Sequence, residues 1–186
     1  MKKLLVLLFA ALFAMGSSAG LVAAQDSTPA ADEAPSSSDV NPTNPQIGDT
    51  ITYYADNGSE AGTITVTDVE RQWDGYDEYQ EPDSGVEYVA VTFEVESLTS
   101  RGGLELSPYD FFVIDGQGYV HSTAYASNEE SEDDVQVLSD STSVQKGDTL
   151  EFVLVFEVYE DQPLSNVVWQ PDSSIFLILA DVSGEE

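Results

Sequence analysis

Apolar and polar residues alternate most regularly over residues 87–96. In this stretch every second residue is a large apolar one: Val89, Val91, Phe93 and Val95. Because successive side chains of a strand point to opposite faces, these residues form one row that a second layer must cover. The pattern predicts a half-buried β-strand around which the rest of the domain is organised.

The same alternation recurs along the chain between short turn signals. A second long apolar row runs through residues 150–158 and is predicted either to face the first row or to share a sheet with it. Residues 56–58 (DNG) and 115–118 (DGQG) predict hairpin turns, and Asp68 shifts the alternation of its strand as a β-bulge does. The last run, 175–180, is apolar on both faces, so we predict a central strand.

About eight or nine short strands separated by Gly, Asp, Asn and Pro turns are typical of Greek-key sandwiches and barrels. No stretch beyond the N-terminus shows a helical period of useful length. We therefore predict an all-β domain, and among the two architectures we favour an antiparallel two-sheet β-sandwich with Greek-key connections.

The N-terminus has the features of a secretion signal. Lys2 and Lys3 precede a short apolar run, and small residues follow at positions that a signal peptidase reads. We predict cleavage between Ala24 and Gln25, which divides the chain into a signal peptide and a mature part. The predicted segments are the signal peptide 1–24, a disordered acidic linker 25–46 rich in Pro, Ser and Ala, the sandwich domain 47–182 and a tail 183–186.

Later apolar runs are too short to cross a bilayer, so the mature protein is predicted to be extracellular and without a membrane anchor. The chain carries 35 Asp and Glu against 5 Lys and Arg, a formal net charge of −30. Removing residues 1–24 would take away two lysines and change this charge to −32. Such a field repels phosphates, which excludes nucleic acid as a partner. The absence of cysteine excludes disulfides, zinc–thiolate sites and thiol nucleophiles.

The order of strand and turn motifs resembles a bacterial family of secreted or membrane-anchored immunoglobulin-like domains of unknown function. That family is related in fold to the mycobacterial secreted immunoprotective antigen. The motifs that carry the resemblance are GDT at 48–50, TVTDVE at 65–70, EYVAVTFEV at 87–95, SPYDF at 107–111, KGD at 146–148 and VFEV at 155–158. The resemblance implies an immunoglobulin-like sandwich outside the cytoplasm with no established catalytic residues. Unlike many members, this chain has no lipidation cysteine.

Catalytic candidates are sparse. His121 is the single histidine, so a Ser-His-Asp arrangement would have to use it, but its place in a strand after a tight turn favours a packed or exposed imidazole without a catalytic role. Paired carboxylates could act as acid and base, yet with 35 acidic residues such pairs arise by chance. We predict that the protein is not an enzyme and needs no cofactor.

Calcium binding is another interpretation of the acidic turns. Residues 56–58, 74–78 and 115–116 present carboxylate and carbonyl oxygens of the kind that calcium prefers, although none has EF-hand spacing. Ordinary Asx turns and solvated acids explain the same residues. We assign no metal ligands, and a calcium-dependent structural or adhesion module is the alternative function.

The strongest candidate for ligand binding is an aromatic group in the predicted loop 70–86. It consists of Trp73, Tyr76 and Tyr79, which are interspersed with carboxylates. Aromatic faces beside carboxylates suit a cationic partner, whereas the opposing interpretation is that the rings fold back and cap the core. We predict a secreted, non-catalytic immunoglobulin-like module that binds a protein or envelope component, such as a basic protein, through this loop.

Overall fold

Ten strands and one short 3-10 helix form the regular structure of the described residues in this computed structural model. The structure describes residues 41–100, 102–126 and 135–185. The predicted cleavage site between Ala24 and Gln25 and the linker residues 25–40 lie outside them. The elements are β1 (Thr50–Tyr54), β2 (Glu60–Arg71), β3 (Val86–Ser97), β4 (Leu104–Leu106), the 3-10 helix (Pro108–Asp110), β5 (Phe111–Asp115), β6 (Val120–Ser122), β7 (Thr142–Val144), β8 (Thr149–Tyr159), β9 (Leu164–Asp172) and β10 (Ile175–Asp181).

The first sheet contains the two long apolar rows predicted from the sequence. Its strand order is β1-β2-β3-β8, and all neighbours are antiparallel. Phe93 of β3 lies directly opposite Phe152 of β8, and their rings stack with centroids 5.2 Å apart. Of the two arrangements that the sequence left open, the rows therefore share a sheet.

The second sheet supplies the layer that covers this row. Its order is β10-β9-β5-β6, again antiparallel, and a small sheet pairs β4 with β7. Phe111 of β5 lies 5.0 Å from Phe93 across the sandwich and stacks on Trp169 of β9 at 5.7 Å. All three are fully buried, and each contributes about 1.5–3 kcal/mol by leaving water. The predicted all-β, antiparallel two-sheet sandwich is confirmed.

Local features follow the sequence closely in the first hairpins. The pairing of β2 with β3 shifts register between Val66 and Asp68, which confirms the predicted bulge. The turn at 56–58 joins β1 to β2, with Asn57 Oδ1 accepting a hydrogen bond from the Ser59 amide at 3.0 Å. The turn after Asp115 joins β5 to β6 as predicted.

The last strand does not lie where its composition predicts. β10 is an edge strand of the second sheet, with Phe176 and Ile178 exposed on its outer face, so the prediction of a central strand is wrong. The short turn at 173–174 forces β10 to pair with β9, and the other side of β9 is already occupied by β5. A strand that is apolar on both faces therefore need not have a neighbouring strand on both sides.

Residues 41–46, which the sequence assigns to the linker, lie against the sandwich. Asn41 uses its side-chain amide to bond the backbone of Thr52 on the open edge of β1, accepting from its N–H at 2.7 Å and donating to its C=O at 2.8 Å. Pro45 accepts a hydrogen bond from the Asp181 amide at 2.6 Å. These bonds satisfy edge groups of both sheets, so ordered structure begins ahead of the predicted boundary at Ile47.

The outer face of the first sheet is acidic. Glu94 of β3 lies directly opposite Glu151 of β8, and both side chains are exposed. Like charges directly opposite each other on neighbouring strands destabilise a sheet. The domain folds despite this repulsion.

Replacing Glu151 by Gln is expected to raise the free energy of unfolding by about 0.2–1 kcal/mol, because it removes one charge of this pair. Urea unfolding at low and high salt measures the effect, which shrinks as salt screens the repulsion. Glu105→Gln is the matched control, since Glu105 lies opposite Ser143 rather than a carboxylate. Equal stability of the two variants at low salt contradicts the prediction.

Candidate functional site

The loop between β2 and β3 carries the three predicted binding residues and separates them into two groups. Trp73 and Tyr76 pack with Tyr88 of β3 on the outer face of the first sheet, with ring centroids 5.4–6.5 Å apart. The Trp73 amide also donates to the Tyr88 carbonyl at 3.0 Å. Tyr79 takes no part in this aromatic cluster and is 89% exposed. The structure therefore brings two of the rings together and leaves the third in solvent.

The aromatic cluster forms a small second core. Tyr88 and Val155 are buried there with Ala126, and Trp73 and Tyr76 are partly buried against them. Burial, followed by the charge of Glu157, raises the pKa of the Tyr88 hydroxyl. The backbone at Gly75 passes so close to the Trp73 ring that a Cβ there would lie only 2.7 Å from it. The path of the loop is therefore fitted to the indole.

An ion pair closes the base of the loop. Arg71, the last residue of β2, donates from Nε to Glu87 Oε1 at 3.0 Å, and its Nη2 contacts the same oxygen. Glu87 is buried, so loss of either partner would leave a charge without compensation. Gln72, the first loop residue, has a φ of 54°, a value that side-chain-bearing residues rarely adopt. Sequence reasoning missed this pair, although an arginine among so many acids was a usable signal.

The loop that carries the exposed tyrosine is acidic. The exposed acidic residues of the loop are Asp74, Glu78, Glu81 and Asp83. A hydrogen bond to Glu78, with a smaller effect of burial, raises the pKa of the Tyr79 hydroxyl. The hydroxyl therefore stays protonated at neutral pH. The surface centred on Tyr79, which we call the Tyr79 surface, combines an aromatic face with negative charge.

His121 pairs with a buried carboxylate in the β5–β6 hairpin. Its Nε2 lies 3.1 Å from Asp115 Oδ2, while Asp115 Oδ1 accepts from the amides of Gln117 and Tyr119 at 2.8 and 2.9 Å. Burial opposes ionisation of Asp115, but the hydrogen bonds from His121 and the two amides outweigh it and lower the pKa of this carboxyl. Both Asp115 oxygens are thus used within the hairpin, and the pair holds the turn in place.

The acidic turns considered for calcium lie apart from one another. Residues 56–58 form the β1–β2 turn, residues 74–78 belong to the aromatic loop, and Asp115 is occupied as described. Across residues 41–100, 102–126 and 135–185, no three His, Asp or Glu side chains come together as metal ligands would. The calcium-dependent alternative stays a prediction.

Asp115→Asn is expected to lower stability at neutral pH and to flatten the loss of stability in acid. The pKa of Asp115 in the folded state lies below its ordinary value of 3.8, so its contribution is present above that value and is lost as pH falls through the folded pKa. Urea unfolding from neutral to acidic pH measures this. Asp140→Asn, a change at an exposed residue, is the control. A constant difference between Asp115→Asn and the parent protein across this range contradicts the assignment.

Solved structures of bacterial proteins resemble this chain. MPT63, a secreted protein from Mycobacterium tuberculosis, superposes with a TM-score of 0.52 at 12% identity, over 76% of this chain and 98% of that chain. The yjhA protein from Bacillus subtilis gives a TM-score of 0.51 at 14% identity, over 74% and 98%. A putative lipoprotein, ycdA, from Bacillus subtilis subsp. subtilis str. 168 gives 0.48 at 15% identity, over 67% of this chain and 38% of that chain. At these identities the first two show a shared fold alone.

Three further results concern membrane-spanning helices, curated relatives and the family to which the chain belongs. Within the described residues no helix has the length and apolar character needed to cross a bilayer. No curated protein matches the chain. Residues 37–171 match the family model described as a domain of unknown function, DUF4352. This match covers most of the chain, and the predicted relation to a mycobacterial secreted protein is confirmed at the level of fold. The chain belongs to the DUF4352 family.

Proposed function

We propose that this domain is an extracellular, non-catalytic binding module that recognises a basic protein or envelope component through the Tyr79 surface. The single observation that carries the proposal is the 89% exposure of Tyr79 on a loop whose other two aromatic residues are packed down. Exposed tyrosines with fixed backbones are frequent anchors of protein interfaces.

Rigid presentation supports the proposal. The Trp73–Tyr76–Tyr88 contacts fix the middle of the loop, and the Arg71–Glu87 ion pair fixes its base. A binding residue held in this way loses little conformational entropy when a partner docks, so more of the contact energy remains for affinity.

Charge supports a basic partner. The loop that carries Tyr79 has four exposed carboxylates, and the whole chain has a formal net charge of −30. A lysine or arginine approaching this surface meets both Coulomb attraction and the negative face of the aromatic ring. Such binding weakens as salt is added.

Two observations support an extracellular location. The predicted signal peptide 1–24 would direct export, and a protein of the same fold is described as secreted. The proposal of a non-catalytic role rests on the sequence, whose single histidine lies in a strand after a tight turn.

Tyr79→Ala is expected to reduce capture of a component from the envelope fraction of the producing cells by at least about tenfold, as for an interface hot spot. The same variant should have the same free energy of unfolding as the parent protein, because the Tyr79 ring that it removes is in solvent. Trp73→Ala should weaken capture and also lower stability by at least about 1–3 kcal/mol, because it removes the ring pairs with Tyr76 and Tyr88, each worth about 0.5–1.5 kcal/mol beyond the burial that is lost. Capture from the fraction at low and high salt, with urea unfolding of each variant, measures both effects.

Tyr109→Ala is the matched control, since Tyr109 is 68% exposed in the 3-10 helix away from the loop. It should capture as the parent protein does. Equal losses in Tyr79→Ala and Tyr109→Ala, or no captured component with the parent protein, would contradict the proposed function.

A further inference from the structure

The outer face of the second sheet is apolar and uncharged at its centre. Along each strand of this sheet, side chains point alternately into the core and outward. The cross-strand register places Ile178, Val168 and Phe112 in one outward row. Ile114 and Val120 are paired in the neighbouring row. Apart from Asp172 and Asp181 at the ends of β9 and β10, the outward residues of the four strands are Phe112, Ile114, Val120, Ser122, Asn166, Val168, Gln170, Phe176 and Ile178. We call this surface the β5–β10 face.

Large apolar groups on this face remain in solvent. Phe176 is 52% exposed, Ile178 43% and Val120 59%, and they lie on the two edge strands of the sheet, whereas Val168 between them is fully buried within the protein. The carboxylates nearest the face lie at strand ends, where Asp172 accepts from Ser174 and Asp181 accepts from the Ser183 amide. Exposed apolar groups bordered by polar residues are typical of a protein interface.

The opposite face of the sandwich, on the first sheet, is acidic. The outward residues of β2, β3 and β8 include six exposed carboxylates: Asp68, Glu70, Glu94, Glu96, Glu151 and Glu157. A protein of this charge repels its own copies, and the repulsion is weakest where two uncharged faces meet with the acidic faces turned outward.

We propose that the β5–β10 face binds the same face of a second copy of this chain, forming a two-fold symmetric dimer. A basic partner finds few carboxylates at the centre of this face, whereas an identical face is matched in both charge and polarity. The chain's own residues 25–40 are a poor cover, because Val40 is their only large apolar residue. The acidic face and the Tyr79 loop, which belong to the first sheet, stay free in such a dimer.

The size of the face determines how strong this dimer is. The face spans three residues each of β5, β6 and β10 and five of β9. With strands about 4.8 Å apart and a rise of about 3.3 Å per residue, it covers roughly 220 Å² per copy. Stable interfaces bury about 800 Å² per partner, so the dimer is weak and depends on concentration. Added salt should strengthen it, because screening reduces the repulsion between two negatively charged copies.

Sedimentation of the full-length protein from about 1 μM to about 1 mM at low and high salt tests the proposal. The expected result is a monomer–dimer equilibrium that shifts toward dimer at high salt. The double variant Phe176→Thr, Ile178→Thr should weaken the dimer by at least about tenfold. Both replaced side chains are exposed on β10, and threonine is favoured in strands, so the double variant should fold. Val120→Thr, at the far edge of the same face, should weaken the dimer too.

Tyr79→Thr is the control, because Tyr79 is 89% exposed on the loop of the first sheet that stays free in such a dimer. It should dimerise as the parent protein does. A parent protein that stays monomeric up to about 1 mM at high salt overturns the proposal. So does a dimer that neither the double variant nor Val120→Thr weakens, since its interface must lie elsewhere, on another face or in another segment.

Discussion

The contact between the rings of Phe93 and Phe111 is the interaction on which the rest of the structure depends. Phe93 stacks on Phe152 within the first sheet, and Phe111 stacks on Trp169 within the second. Their 5.0 Å contact therefore joins two aromatic pairs into one buried row that crosses the sandwich. With no cysteine and a large excess of negative charge, the chain has no disulfide to oppose its self-repulsion. Stability must come mainly from this apolar packing.

The core positions both candidate surfaces. β3 contributes Phe93 to the inner face and Tyr88 to the outer face, so the strand that anchors the core also anchors the aromatic loop. On the other side, β5 contributes Phe111 inward and Phe112 outward to the uncharged face. Because strand side chains alternate, each strand contributes residues both to the common core and to an outer surface. The outer surface is acidic on the first sheet and uncharged on the second.

Much of this arrangement could be predicted because it depends on local alternation. The row through Val89 and Phe93, the bulge at Asp68 and the turn after Asp115 each follow from neighbouring residues. The position of β10 could not be predicted, because alternation reports which faces of a strand are apolar and not which of its edges is paired. The bonds of Asn41 to Thr52 could not be predicted either, since they join segments that only the folded sheet brings together.

The candidate site shows the same division. Composition identified Trp73, Tyr76 and Tyr79 as a group, but it could not distinguish a ring that packs on Tyr88 from one that stays in solvent. That distinction depends on the path of the loop, which Gly75 and the Arg71–Glu87 pair determine through contacts invisible in sequence. Long-range pairing, rather than residue type, decides which aromatic residues are available for binding.

Native-state hydrogen exchange tests the central claim most directly, because it measures the free energy needed to open each strand. β3 lies between β2 and β8 and contributes the buried row that contains Phe93. We expect the amides of β3 to exchange slowest, close to the rate set by global unfolding. If amides of β9 and β10 remain protected under conditions in which those of β3 have exchanged, the sandwich is not organised around this row.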